Sequence, residues 1–155
     1  MTSITNCDLI NINSSANTLF DEGRAKIVEK KLDEFVAEIS TNFKRGTTEM
    51  LLLSLLTMQD WYVYELSKVL QETSKGLFDI QGPSMYTALY RLQNRGFVSS
   101  RTEPIGRRTR IYYHILPDGE EYLKRIIKEY LDVSNGVMEV LSKTGLNNLK
   151  SDKEI

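Results

Sequence analysis

The first twenty residues place their apolar side chains at no helical or strand period, among Ser, Thr and Asn, and are expected to form a mobile polar tail. From Glu22 the pattern turns helical. Val28, Leu32, Phe35 and Ile39 recur at helical spacing, and Ile27, Val36 and Phe43 widen the stripe. Gly46 is expected to end this helix and Thr47 to cap a second, shorter one. There Met50, Leu51, Leu52, Leu53, Leu55 and Leu56 are apolar nearly all round, which suits the centre of a core.

Asp60 is the expected cap of the next helix, whose Val63, Leu66, Val69 and Leu70 share one face before a break at Lys75-Gly76. Gly82-Pro83 opens another helix, because proline loses nothing in a first turn, and Gly96 closes it. Val98 to Glu103 and Arg110 to Leu116 are strand-length runs separated by Pro104-Ile105-Gly106-Arg107-Arg108-Thr109, the pattern of a hairpin with a basic tip. Pro117 starts a last helix with acids in its first turn, running to about Ser142. Its Leu123, Ile127, Tyr130, Val137 and Leu141 form a seam when Ser134 is included, so it wants a helical partner.

Three short helices followed by a two-stranded hairpin is the element order of a winged helix-turn-helix, whose third helix enters the DNA major groove. The predicted fold is mainly α with a small β-hairpin. Its parts are a polar tail (1–20), an extra N-terminal helix (21–43), a winged helix-turn-helix (44–116), a long C-terminal dimerisation helix (117–143) and a frayed end (144–155).

Charge sharpens the picture. The 155 residues, 41% hydrophobic and 26% charged, make one globular domain with a net charge of −1. That average hides a segregation, because Gly82 to Ile115 carries six arginines against one acid, Glu103. Arginine's planar fork suits phosphate and guanine edges better than lysine's point charge. One cysteine (Cys7) and one histidine (His114) leave no disulfide, no Cys cage and no His-rich metal site. With no phosphate loop or acid-base constellation either, no catalytic residue, metal or other cofactor is assigned, and an enzyme is the least favoured class. No run approaches the roughly 20 apolar residues of a bilayer span and no signal peptide is visible, so a cytoplasmic location is expected.

On the helix that starts at Gly82-Pro83, Met85, Ala88, Leu89 and Leu92 fall within one arc and Thr87, Tyr90 and Asn94 on the opposite one, flanked by Ser84, Tyr86 and Arg91. Asparagine pairs with adenine and arginine with guanine, while hydroxyls reach bases or phosphates, so this arc fits groove entry.

Tyr64-Glu65-Leu66, the run Pro83 to Leu92 and Arg108-Thr109-Arg110-Ile111-Tyr112-Tyr113 together resemble the PadR family of bacterial transcriptional regulators. The resemblance extends over about residues 44 to 142. It implies a winged-helix homodimer that represses promoters by binding an inverted repeat in double-stranded DNA and, in many members, is released by a small, often aromatic effector. By position it implies DNA contacts from Ser84, Tyr86, Thr87, Tyr90 and Arg91, and from Arg108 and Arg110 on the wing; Asn94 on the outer arc and Arg107 in the basic tip are further candidate contacts from the residues themselves. The family's usual wing glycine falls at Arg107, with Gly106 one place earlier, which implies a shifted turn. The extra helix before residue 44 is expected to pack against the last helix within the dimer.

Tyr130 is a candidate effector contact beside plain seam packing, and Trp61 a candidate effector-pocket wall beside plain core filling. One of Tyr112 and Tyr113 must face the core and the other solvent, with the alternation alone leaving open which. His114 receives no role. The competing function is a protein-interaction module whose winged helix does not bind DNA.

Overall fold

The computed structural model describes the backbone of residues 6–146 and the side chains of residues 22–146; the remaining ends of the expected tails lie outside the described residues. The elements run α1 (Asn6–Leu56), β1 (Trp61–Tyr62), α2 (Val63–Thr73), α3 (Gly82–Asn94), β2 (Val98–Ile105), β3 (Arg108–Ile115) and α4 (Pro117–Lys143). This is the winged helix-turn-helix order, and the sheet is antiparallel with strand order β1-β3-β2.

Two expectations about the N-terminal half are corrected. α1 is one helix, beginning within the segment read as an irregular tail and continuing through Gly46. A helix-interior glycine costs only about 1 kcal/mol, and Asn, Ser or Thr less, so a propagating helix runs through both. Asp60 does not cap α2. The cap position is Tyr62, without a side-chain cap bond, and Trp61–Tyr62 pairs with Tyr113–Tyr112 of β3. A two-residue strand is too short for periodicity to reveal.

The chain divides into two units, residues 1–45 and 46–155. In the first, Ile27, Val28, Leu32, Phe35, Val36, Ile39 and Phe43 are all exposed. The second holds the core: Leu52, Leu53, Leu55 and Leu56 of α1, Val63, Leu66 and Leu70 of α2, Met85, Ala88, Leu89 and Leu92 of α3, Val98, Tyr113 and Ile115 of the sheet, and Leu123 of α4. Trp61 is half-buried against this cluster and its indole N–H donates to the Leu55 carbonyl, 3.0 Å away.

The end of α3 is a Schellman motif. Gly96 takes φ 76°, its N–H donates to the Gln93 carbonyl, and the Phe97 N–H donates to the Leu92 carbonyl. Phe97 then carries the junction to α4. Its carbonyl accepts the Leu116 N–H at 2.9 Å, and its ring stacks on Tyr122 with centroids 4.4 Å apart. A Cβ on Gly119 would lie 2.2 Å from that same carbonyl, so α4 begins where only glycine fits.

Beyond Leu123, α4 leaves Ile127, Tyr130, Leu131, Val133, Val137, Met138 and Val140 exposed in the single chain.

Candidate nucleic-acid interface

α3 is held from behind by its apolar arc, with Met85, Leu89 and Leu92 completely covered. The Ser67 hydroxyl donates to the Ile80 carbonyl, pinning the chain just before α3 to α2. The Gln93 side chain donates to Ser100 and joins α3 to β2. The outward arc is therefore mounted on a fixed body. Ser84, Tyr86, Thr87, Tyr90, Arg91 and Asn94 lie on it, with Tyr90 64% exposed. Within it the Thr87 hydroxyl donates to the Pro83 carbonyl, leaving its lone pairs outward.

The wing is tighter than the sequence suggests. Ile105 pairs with Arg108, so only Gly106 and Arg107 form the turn. Gly106 has φ 60° and Arg107 does not have positive φ, the pattern of a type II′ hairpin with glycine at its first central position. The displaced glycine thus keeps a two-residue turn and puts Arg107 at its apex. Pro104, expected in the loop, lies inside β2, which is tolerated because β2 is an edge strand.

Register assigns the two tyrosines. Tyr113 pairs with Ser100, is buried, and burial pushes its phenol above the usual range; Tyr112 pairs with Arg101 on the outer face. Around Tyr112 that outer face is a ladder of rings and guanidinia. Tyr62 packs edge-on to Tyr112 and stacks with Tyr64, Arg110 lies 4.3 Å from the Tyr62 ring centre, and Arg101 lies 5.3 Å from that of Tyr112.

Along the chain the arginines look unopposed, but in space acids distant in sequence fold onto them. Arg91 Nε and Arg95 Nη1 donate to the two oxygens of Glu49, at 2.8 and 3.0 Å. Arg101 donates to both Asp60 and Glu103. Three of the six arginines, Arg91, Arg95 and Arg101, are thus paired with three carboxylates, and among the described residues Arg107 and Arg108 at the wing tip, like Arg110, are in no ion pair. Sequence reading missed Glu49 and Asp60, because their partners lie more than 40 residues away.

Asp60 also meets His114, whose Nδ1 is 2.7 Å from Oδ1, so this one carboxylate ties the α1–β1 connection to β2 and β3. Partial burial raises its pKa, but the hydrogen bonds and charges of Arg101 and His114 outweigh that and hold it below its ordinary 3.8. A depressed folded-state value means the contribution to stability is present above the ordinary carboxylate pKa and lost as pH falls through the folded one. Asp60→Asn is expected to melt earlier than the unaltered protein at neutral pH, with the gap closing below about pH 4. Thermal melts across that range check this; a gap independent of pH would remove the electrostatic role.

The expected effector residues lie apart in kind: Tyr130 is 46% exposed on α4, whereas Trp61 is committed to the Leu55 carbonyl and the core margin. Among the described residues no group of His, Cys, Asp or Glu is arranged to hold a metal ion, and no helix is long and apolar enough to cross a membrane.

The fold is that of a winged helix-turn-helix, with the outward arc of α3 exposed. Residues 52–125 match the transcriptional regulator PadR-like family. The chain is similar to a PadR-family transcriptional regulator from Eggerthella lenta, with a TM-score of 0.65 and 28% identity over 70% of this chain and 94% of that one. It is also similar to a transcriptional regulator from Clostridium thermocellum, with a TM-score of 0.56 and 29% identity over 70% of this chain and 99% of that one. An uncharacterised protein of Lysinibacillus sphaericus is 26% identical over 98 residues, 61% of this chain and 88% of that protein.

Proposed function

We propose that this PadR-like transcriptional regulator is a cytoplasmic homodimeric repressor that binds an inverted repeat in double-stranded DNA and is released by a small aromatic effector. The observation that carries the reading is the juxtaposition of α3's exposed hydrogen-bonding arc with a wing whose tip arginines are, among the described residues, in no ion pair. Ser84, Tyr86, Thr87, Tyr90 and Asn94 discriminate bases or fix register, Arg91 joins them from its bond to Glu49, and Arg107 and Arg108 take phosphate. Arg110, laid on the Tyr62 ring, acts at the margin of this surface.

Dimerisation is supported by the exposed apolar residues of α4, notably Ile127, Tyr130, Leu131, Val137 and Met138, with those between Ile27 and Phe43 as further apolar surface for association. Two copies present two reading helices, which must meet half-sites about one DNA turn, roughly 34 Å, apart. Tyr130, half-exposed in the α4 seam, supports effector binding there; Trp61, at the core margin, is the second residue proposed for it.

A salt series on a duplex selected by the protein from a random-sequence pool tests the DNA claim. Two wing-tip arginines per protomer imply about four phosphate contacts, and affinity should fall roughly 100-fold between about 50 and 200 mM salt. A flat response would favour the protein-interaction module instead.

A further inference from the structure

We propose that Glu49 is a positioning residue that sets how much of α3's positive charge reaches the DNA backbone, and thereby the ratio of specific to non-specific binding. The proposal rests on the DNA-binding reading above. Glu49 lies on α1, behind the C-terminal half of α3, and its side chain is only 17% exposed while Arg91 and Arg95 are 48% and 50% exposed. Each carboxylate oxygen takes one arginine, Oε1 from Arg91 Nε and Oε2 from Arg95 Nη1. An arginine has five N–H donors, so both guanidinia keep outward donors after this contact. They are anchored from the back rather than consumed.

The charge acts in two ways. A carboxylate within hydrogen-bond distance of two guanidinia offsets one of their two positive charges, lowering the attraction of any phosphate for this end of α3. It also fixes the direction of both side chains, so donors facing the groove are held for one arrangement of partners. Sequence-independent affinity falls and sequence-dependent affinity is kept, which is what discrimination between sites requires. The wing tip, where Arg107 and Arg108 are in no ion pair among the described residues, supplies the phosphate attraction that α3 withholds.

The test compares two duplexes of equal length, one selected from a random-sequence pool by the unaltered protein and one with its sequence shuffled. Glu49→Gln keeps an acceptor and removes the charge. It is expected to bind the shuffled duplex roughly 3- to 10-fold more tightly, to steepen the dependence of log affinity on log salt by about one unit, and to lose discrimination at least 5-fold. Glu49→Asp, which restores the charge, should return the salt slope toward that of the unaltered protein. Glu72→Gln makes the same net charge change at the end of α2, where the carboxylate pairs with Lys68, and should move the ratio little.

Equal tightening on both duplexes, or an unchanged shuffled-duplex affinity in Glu49→Gln, overturns the proposal while leaving DNA binding intact. If the unaltered protein binds neither duplex in a salt-dependent way, the DNA reading itself fails and takes this proposal with it. Should Glu49→Gln not fold, as judged by circular dichroism, the Glu49→Asp salt slope decides alone: a slope displaced from that of the unaltered protein by as much as removal of a charge would displace it overturns the charge role.

Discussion

Gly119→Ala is expected to unfold roughly 4–8 °C below the unaltered protein, a loss of about 2 kcal/mol. The added methyl would sit 2.2 Å from the Phe97 carbonyl oxygen and 3.0 Å from Ile115 Cγ1. The first of these is backbone, already held by the Leu116 N–H, so it cannot rotate out of the way. Moving α4 outward instead would stretch that hydrogen bond and unstack Phe97 from Tyr122. The intrinsic helix preference of alanine, about 1 kcal/mol, acts in the opposite direction and is outweighed. Gly46→Ala is the matched control: nothing lies within 4 Å of its added methyl, so the same exchange in α1 should stabilise by up to about 1 kcal/mol. Thermal or urea melts of the pair check both signs, and a Gly119→Ala protein as stable as the unaltered one would contradict the close approach.

The simultaneous replacement of Thr87, Tyr90 and Asn94 by alanine is expected to leave folding nearly unchanged and to abolish sequence preference. All three side chains are exposed, so their truncation opens no cavity. Taking away one hydrogen-bonded pairing with a base edge costs about 1–3 kcal/mol, so affinity for the selected duplex should drop at least 100-fold while that for a shuffled duplex changes little. Anisotropy titrations with both duplexes read this directly. Retained preference would mean that α3 does not do the reading.

Local punctuation explains what could be read in advance. Gly82-Pro83 and Gly96 bracket α3 because each residue type suits one end of a helix, and the apolar arc between them identifies the buried side without knowledge of what covers it. The strand pair was legible from its β-branched and aromatic runs. What failed depended on partners far along the chain. Asp60 has the composition of a helix cap, yet an arginine on β2 and a histidine on β3 compete for its oxygens and win. Glu49 is one acid among many on α1 until α3 is folded against it. Likewise Tyr112 and Tyr113 are interchangeable by alternation alone, and only the pairing of β3 with β2 decides which is covered. Gly46 misled in the opposite sense, since a residue that often ends helices does so only when its backbone adopts the left-handed region, and here it does not.

The Phe97 junction makes α4 a lever. Its 27 residues span about 40 Å, and its short arm is clamped at Leu116 and Gly119 to the carbonyl that immediately follows α3's terminal turn. With so little slack at the fulcrum, a sideways displacement of the long arm would load the end of α3 through that carbonyl. The exposed apolar side of α4 and the exposed arc of α3 are thereby joined through a single short connection at Phe97.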